Sequence, residues 1–330
     1  MQTVADAIGV SKATVSYVLS GKRHISADVA ERVWRAIDEL GYKPNRAARV
    51  LASSKTHTIG LFCSPTETLR EDTYFNQLLA GVLDAVEPRG YKITLYPERG
   101  GNHVADTARS LEDQALDGAL LMNPRVDSHR LEEIESHDVP LVVIGTPSRG
   151  AEGFFYVDHD QAALMYRATS YLIGMGHSEI LFINGPTEYA GSGQRVEGYR
   201  LALQEHGLQA KAAYLRFSGI TAEDGEQTTA DALSSRLSFT AILTMNDIVA
   251  VGAIRALRAA ERRCPKDVAV IGSGNTLIAP LHDPPLTSFN LYPYEQGQEA
   301  GNVMIDVIER RRLRPAHTII PAELVRRVSA

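Results

Sequence analysis

A short stretch near the start of the chain concentrates side chains that can reach the edges of nucleic-acid bases. Its hydroxyls and its amine belong to Ser11, Lys12, Thr14 and Ser16. Ala13 and Tyr17 fall on its outward side, and Lys22, Arg23 and His24 follow it. A helix in the DNA major groove needs short side chains and polar groups that contact base edges and phosphates. We therefore predict a DNA-reading helix and a phosphate-binding turn; the alternative is a three-helix bundle without a DNA role.

Three short helices must position these side chains. Their apolar faces, which would pack together, are Val4, Ala5 and Ile8, then Val15, Val18 and Leu19, then Val29, Val33, Ile37 and Leu40. Gly9 can end the first helix because glycine tolerates the left-handed conformation, and Ser11 and Ser26 can cap the second and third. The tight turn that Gly9 makes between the first two helices describes a helix-turn-helix domain.

The charge distribution supports a nucleic-acid module at one end of the chain. The 330 residues carry a net charge of −6, but residues 1–55 hold nine Lys and Arg against five Asp and Glu. The net charge of the head, residues 1–55, is therefore +4, and that of the remaining chain, the body, is −10. A basic head on an acidic body is typical of a DNA-binding module joined to a partner domain, although many solvated helices are also basic.

Two motifs of the head carry a family resemblance. "TVADAIGVSKATVSYVLSGK" and "GYKPNRAARVLAS" resemble the head of the lactose/galactose repressor (LacI/GalR) family of bacterial transcriptional regulators. Pro44 prevents the third helix from continuing, and Asn45 can cap a new helix over residues 46–53 that is too short to be stable alone. The resemblance implies that this hinge helix folds when two copies meet on DNA. It puts Asn45 and Ala48 at the DNA and wedges Leu51 into the minor groove; a plain linker is the alternative.

Apolar runs alternate with amphipathic helical stretches through the rest of the chain. Seven runs are short and bounded by Gly, Pro or Asn: TIGLF, YKITLYP, GALLMN, PLVVIG, EILFING, AILTMN and VAVIGS. This alternation argues for parallel sheets with helices on both faces. We predict an α/β body of two doubly wound parallel-sheet lobes with an N-terminal all-α helix-turn-helix domain. The resemblance, which extends over nearly the full chain, implies that the body is periplasmic-binding-protein-like.

The predicted domain boundaries follow from this organisation. The helix-turn-helix domain covers residues 1–44, the hinge 45–55, and the effector-binding and dimerisation body 56–330. Within the body, the first lobe covers about 56–160 and 291–320, and the second about 161–290 and 321–330. Ligands of doubly wound folds bind at the carboxyl ends of strands, so we expect the site in the cleft between the lobes.

The resemblance assigns effector-binding residues to that cleft. Arg195 follows the strand end "GP", where related repressors and sugar-binding proteins have an arginine that grips the ligand. A guanidinium can fork two hydroxyls or a carboxylate. The remaining candidates are Tyr74, Phe75, Asn123, Tyr189 and Asp247. Two alternatives stay open, because Phe75 also suits a core position and Asp247 also suits a cap of the helix that begins there.

Three departures from the family pattern bear on specificity. Tyr17 stands where the family often has arginine, and tyrosine cannot grip guanine with two hydrogen bonds, so we predict an operator half-site unlike the common one. The family often has aspartate after two body strands, where this chain has Gly145 and Ser273-Gly274. The loss of two acceptors for sugar hydroxyls or purine N–H groups favours a larger or anionic effector.

Other chemistry has little support in the sequence. The chain lacks the GxxxxGK[ST], HExxH and GxSxG patterns, and we expect neither enzyme activity nor a cofactor. The run "VDHD" is open to a metal-cluster interpretation, but capping of the next helix by Asp158 and Asp160 is favoured. Cys63 and Cys264 suit buried free thiols. No apolar run reaches the roughly 18 residues of a membrane span and no signal segment is evident, so we expect a cytoplasmic protein without membrane contact.

Together these features predict a sequence-specific transcriptional regulator that acts as a repressor. It would bind a pseudo-palindromic double-stranded DNA operator as a homodimer, because a twofold protein reads two half-sites. A small polar metabolite, such as a sugar or sugar derivative, would control it from the cleft. The alternative is a solute-binding protein or a metabolite-processing enzyme that shares the two-lobed body. Neither of these would bind DNA sequence-specifically.

Overall fold

The computed structural model divides the chain into two compact units, Met1–His57 and Thr58–Ala330. The described residues are 1–20, 23, 25–42, 55–63, 73–97, 111, 116–126, 130–147, 150–312 and 314–330. The first unit holds the predicted DNA-reading helix, and the second holds the predicted lobes. Most of the predicted hinge, residues 45–55, lies outside the described residues.

The described residues of the first unit form three helices, namely α1 (Gln2–Ile8), α2 (Lys12–Ser20) and α3 (Ala27–Glu39). α1 ends as predicted, because Gly9 adopts the left-handed conformation with φ 67°. The buried apolar side chains, which form one small core, are Val4, Ala5, Val15, Val33, Ala36 and Ile37. Ser26 holds the N-cap position of α3 without a capping side-chain hydrogen bond. The inward position predicted for Leu40 is wrong, because α3 ends one residue earlier and leaves Leu40 47% exposed.

The first lobe of the second unit is a parallel sheet with a core on each face. Its strands are β1 (Thr58–Cys63), β2 (Lys92–Pro97), β3 (Gly118–Met122), β4 (Leu141–Ile144), β5 (Phe155–Asp158) and β11 (His317–Ile319), in the spatial order β2-β1-β3-β4-β5-β11. Its described helices include α4 (Thr73–Val86), α5 (Arg130–Ser136) and α11 (Pro293–Ile308). Side chains alternate along a strand, so Leu61 joins the core under α4 and α11 while Phe62 joins the core under α5.

The second lobe repeats this plan. Its strands are β6 (Ile180–Asn184), β7 (Leu215–Phe217), β8 (Ala241–Thr244), β9 (Ala269–Gly274), β10 (Thr287–Asn290) and β12 (Glu323–Val325), in the order β7-β6-β8-β9-β10-β12. Its helices are α6 (Gln161–Gly174), α7 (Ala190–Glu205), α8 (Ala222–Ser234), α9 (Asp247–Ala259) and α10 (Ile278–Leu281). β12 pairs with β10 in the antiparallel sense, and the other described pairings are parallel. Helices α8 and α9 cover one core, and α6 and α7 the other.

Three segments of the described chain pass between the lobes. Residues 159–160 lead from β5 into α6, residues 291–292 lead from β10 into α11, and residues 320–322 lead from β11 to β12. Each lobe is therefore assembled from separate stretches of sequence. The helical head and the two sheets with helices on both faces confirm the predicted fold class.

Glycine allows the closest helix contact of the first lobe. α4 and α11 approach until a Cβ atom at Gly81 would lie 1.9 Å from the carbonyl oxygen of Tyr294. Gly297 meets α4 in the same way, 2.0 Å from the carbonyl oxygen of Leu78. A larger side chain at either glycine would push the two helices apart.

Candidate functional site

A cavity of about 280 Å³ lies between the two lobes, at the carboxyl ends of their strands. The first lobe lines it with polar side chains from Tyr74, Asn123, Thr146, Asp158 and Gln296. The second lobe adds Tyr189, Arg195, Asn246, Asp247 and Thr276. Apolar side chains complete the lining, among them Met122, Ile144, Leu164, Met245 and Ile248. A concave, largely apolar surface with a few convergent polar groups is typical of a small-molecule site.

Arg195 on α7 is held from two sides. Its Nε donates to Oδ1 of Asn184 at 2.9 Å, and its Nη1 donates to Oε1 of Gln161 at 3.3 Å. Among the described residues its Nη2 makes no hydrogen bond, which leaves that group for a ligand. Burial lowers the pKa of Arg195 to about 10, and nearby Asp158 opposes this shift. The guanidinium is therefore charged at neutral pH and oriented by two neutral amides.

Asp158 is the last residue of β5, and its carboxylate belongs to a hydrogen-bond network. Oδ2 accepts from the hydroxyl of Thr146 at 2.6 Å. Oδ1 accepts from the backbone N–H of His159 at 2.7 Å and from Nε2 of Gln161 at 3.2 Å. Gln161 thus links this carboxylate of the first lobe to the arginine of the second lobe. The network makes Asp158 a cavity residue, a role that the sequence prediction did not assign to it.

Two adjacent residues at the start of α9 have separate roles. Asn246 caps the helix, because its Oδ1 accepts from the backbone N–H of Val249 at 2.7 Å. The capping role considered for Asp247 is therefore wrong. Asp247 accepts instead from the backbone N–H and hydroxyl of Thr276, at 2.7 and 2.9 Å, and from the hydroxyl of Ser288 at 2.5 Å. It lines the cavity, as its predicted place in the effector site requires.

The two aromatic residues predicted to face the ligand are separated by the structure. Tyr74 lines the cavity, and its hydroxyl donates to Oε1 of Gln296. Gln296 is itself held by a 3.2 Å hydrogen bond from Nε2 to the carbonyl oxygen of Val157. Phe75 is 3% exposed and packs in the core of the first lobe, so its predicted place in the effector site is replaced by the core alternative.

Tyr189 and Asn123 line the cavity from opposite lobes. Tyr189 holds the N-cap position of α7, and Asn123 follows β3. The loops that carry them meet beyond these residues, where the backbone N–H of Val126 donates to the carbonyl oxygen of Glu188 at 2.6 Å. The structure therefore brings five of the six predicted effector residues to one cavity.

Gly145 and Ser273-Gly274 stand where members of the family often have aspartate. Gly145 has φ 99°, and a Cβ atom there would lie 2.3 Å from Oδ1 of Asn123. Gly274 has φ 117°, and a Cβ atom there would lie 3.2 Å from the methyl group of Thr276. Side chains at either position would be strained by the backbone as well as crowded. The side-chain amide of Asn123 occupies the space that a side chain at position 145 would need.

The sequence prediction missed several polar residues of the cavity. Thr146 follows β4, Asp158 ends β5 and Asn246 follows β8. Their places at strand ends were a usable signal, because doubly wound folds bind ligands there. Gln161 and Gln296 lie on helices and enter the cavity through tertiary packing, so no local pattern marks them.

Metal and thiol chemistry find no support in the described ranges. No group of three or more His, Cys, Asp or Glu side chains in those ranges is arranged to hold a metal ion. Asp160 caps α6, as its Oδ1 accepts from the backbone N–H of Ala163 at 2.8 Å; the same role predicted for Asp158 is wrong because β5 ends there. Burial raises the thiol pKa of Cys63 to about 11 and that of Cys264 to about 12, so both stay protonated.

Within the described part of the chain, no helix is both long enough and apolar enough to cross a membrane.

The first unit contains the predicted DNA-contacting helix. The predicted contacts on α2 or at its start are Ser11, Lys12, Ala13, Thr14, Ser16 and Tyr17. Ser11 caps α2 as predicted, because its Oγ accepts from the backbone N–H of Thr14 at 3.0 Å. Lys12 and Ala13 are exposed, and Ser16 and Tyr17 are partly exposed. The other predicted contacts, His24, Asn45, Ala48 and Leu51, lie outside the described residues.

Comparison with known proteins matches both units. Residues 1–45 match the bacterial regulatory proteins of the lacI family, and residues 169–330 match the periplasmic binding protein-like domain. The chain is 32% identical to the HTH-type transcriptional regulator CelR of Thermobifida fusca, over 100% of this chain and 97% of that protein.

Two solved structures are similar over nearly the whole chain. A transcriptional regulator CelR–cellobiose complex has a TM-score of 0.80 and 30% identity, over 100% of this chain and 99% of that chain. A lac repressor dimer bound to operator and the anti-inducer ONPF has a TM-score of 0.85 and 26% identity, over 99% of this chain and 97% of that chain. These proteins are regulators of transcription and not enzymes. By its identity to them over its full length, the chain belongs to the lacI family of bacterial regulatory proteins and is a DNA-binding transcriptional regulator.

Proposed function

We propose that the chain is a repressor that binds a pseudo-palindromic operator as a homodimer and responds to a neutral sugar or sugar derivative in the interlobe cavity. The observation that carries this proposal is the setting of Arg195, a cavity-lining charged guanidinium that is held by two neutral amide oxygens and whose Nη2 makes no hydrogen bond to the described residues. Such a group donates to neighbouring hydroxyls of a polyhydroxylated ligand. The CelR structure that contains cellobiose supports a sugar.

The charges around the cavity favour a neutral effector over the anionic one suggested by the missing aspartates. Asp158 stands close enough to Arg195 to influence its pKa, and Asp247 adds a second carboxyl group. An anionic ligand would meet both acids beside a single guanidinium. Sugar hydroxyls would instead donate to the carboxylates and accept from the arginine. In this proposal Asp158 and Asp247 replace the acceptors that are absent at Gly145 and at Ser273-Gly274.

Control of DNA binding would follow from linkage between the cavity and the operator. In this proposal residues 1–44 read DNA in the cytoplasm, residues 45–55 form the hinge and residues 56–330 sense the effector. Binding would favour one of two dimer arrangements and so order or melt the hinge helices around Leu51. Induction and co-repression are the same linkage with opposite signs. The lac repressor structure, a dimer on operator DNA, supports the twofold arrangement.

Selection of operators from a random DNA library tests this function. The full-length protein is used with and without a panel of neutral sugars that includes cellobiose. We expect enrichment of a pseudo-palindrome of about 14–20 base pairs, as two major-groove half-sites require. At least one sugar should then change the affinity for the enriched DNA. A solute-binding protein would bind the sugar and enrich no DNA.

Arg195→Gln tests the effector site. Loss of the charge-assisted hydrogen bonds should raise the half-saturating sugar concentration by roughly 10- to 100-fold. Arg255→Gln is the matched control, because Arg255 pairs with Glu223 on the surface of the second lobe. It should keep the sugar response of the parent chain. A response that survives Arg195→Gln unchanged contradicts the assigned site.

A further inference from the structure

The arginines of the head differ in what holds them. Its described residues include Arg23, Arg32 and Arg35. Arg32 donates to a backbone carbonyl oxygen of α1 at 2.7 Å, and Arg35 pairs at 3.0 Å with a glutamate one turn away on α3. Arg23 is exposed and lies over the ring of Tyr17, with its guanidinium carbon 5.4 Å from the ring centroid. Two guanidinium groups thus use N–H donors within the head, whereas that of Arg23 makes a cation–π contact.

The cation–π contact matters for hydrogen bonding. The N–H groups of a guanidinium lie in its plane, so a guanidinium that stacks on an aromatic ring keeps its N–H edge for a partner. An oriented guanidinium edge can donate two parallel hydrogen bonds to O6 and N7 of guanine. A phosphate oxygen needs positive charge and no particular plane.

The stack also lies beside the helix that presents groups for base contact. Tyr17 is one turn along α2 from Ala13, and Ala13 and Lys12 are exposed. Arg23 follows the end of α2 by three residues and reaches back over the ring. Its guanidinium is therefore held against the second turn of the candidate reading helix.

We propose that Arg23 reads one guanine in each operator half-site and that the Tyr17 ring is the platform that orients it. The proposal rests on the proposed binding of a specific operator. Tyr17 and Arg23 together supply the two-pronged donor that a single arginine at position 17 would otherwise bring. Arg23 then determines sequence, beyond the neutralisation of phosphate expected from its charge.

Operator selection with full-length variants tests the pair. Arg23→Lys keeps the positive charge and loses the planar fork, so a phosphate contact would survive it and a guanine contact would not. We expect this variant to lose the preference for guanine at one position of each half-site, by roughly 5- to 150-fold, while the rest of the motif stays. Tyr17→Phe keeps the ring and should keep the preference. Tyr17→Leu removes the ring and should weaken the preference.

Arg35→Lys is the matched control, because Arg35 is an exposed arginine on another helix of the same head. Its selected motif should equal that of the parent chain. An unchanged motif for Arg23→Lys would overturn the proposal, and an unchanged motif for Tyr17→Leu would overturn the platform role. A parent chain that enriches no motif contradicts the proposed function itself, so the two failures are distinguishable.

Discussion

Asp247 shows how a single residue can couple the cavity wall to pH. Hydrogen bonds from Thr276 and Ser288 favour the charged carboxylate, but burial outweighs them and raises the pKa of Asp247 to about 6. In the unfolded chain the pKa of this carboxyl group returns to about 3.9. The folded chain therefore binds this proton more tightly than the unfolded chain does. As a result, Asp247 lowers the free energy of unfolding as pH rises from about 4 to about 6.

Asp247→Asn removes this titration. Relative to the variant, we expect the parent chain to lose on the order of 3 kcal/mol of unfolding free energy between pH 4 and pH 7. Urea unfolding at a series of pH values measures the difference. Asp267→Asn is a control in which the pH dependence of the unfolding free energy has the opposite sign, since Arg263 lowers the pKa of Asp267 at the surface. Parallel profiles of unfolding free energy against pH for the parent chain and Asp247→Asn would contradict the raised pKa of Asp247.

Among the elements, α4 and α11 form a helix pair that depends on a close approach. Gly81→Ala places a methyl group against the carbonyl oxygen of Tyr294, which is backbone and cannot rotate away. We expect the free energy of unfolding to fall by about 1–3 kcal/mol, as for other overpacked cores. Gly193→Ala in α7 is the control, because a Cβ atom there has no neighbour within 4 Å. Thermal unfolding measures the stability of both variants. A Gly81→Ala chain as stable as the parent chain would show that the two helices can separate without cost.

The elements also show what the sequence could and could not reveal. The strands were predictable because both faces of each inner strand are buried, so their sequences are continuous apolar runs. The contact of Gly81 with Tyr294 joins helices more than 200 residues apart, and no local pattern marks it. Asp158 and Asp160 look alike as helix caps in the sequence. Only the end of β5 shows that the first faces the cavity and the second caps α6.

For the whole molecule, the division into head and body has a measurable effect on unfolding. Trp34 is the only tryptophan of the chain and lies on α3 in the head, where it is 50% exposed. Its fluorescence therefore reports on the head, whereas far-UV circular dichroism is dominated by the larger body. We expect the two signals to give different midpoints, because the units have separate cores.

Gly81→Ala makes this test directional. It should lower the midpoint of the circular dichroism transition and leave the Trp34 transition in place. The same shift in both signals would mean that the head and the body unfold as one cooperative unit.

The repeated passage of the chain between the lobes also has a consequence for synthesis. β11 completes the first sheet by pairing with β5, with His317 opposite Tyr156, so the partners leave the ribosome about 160 residues apart. At roughly 5–20 residues per second this interval is about 8–30 seconds. The three helices described in the head have emerged long before. A newly made chain therefore possesses the described helices of its DNA-binding head while the first sheet of its body is still unfinished, so in the proposed function it cannot yet respond to an effector.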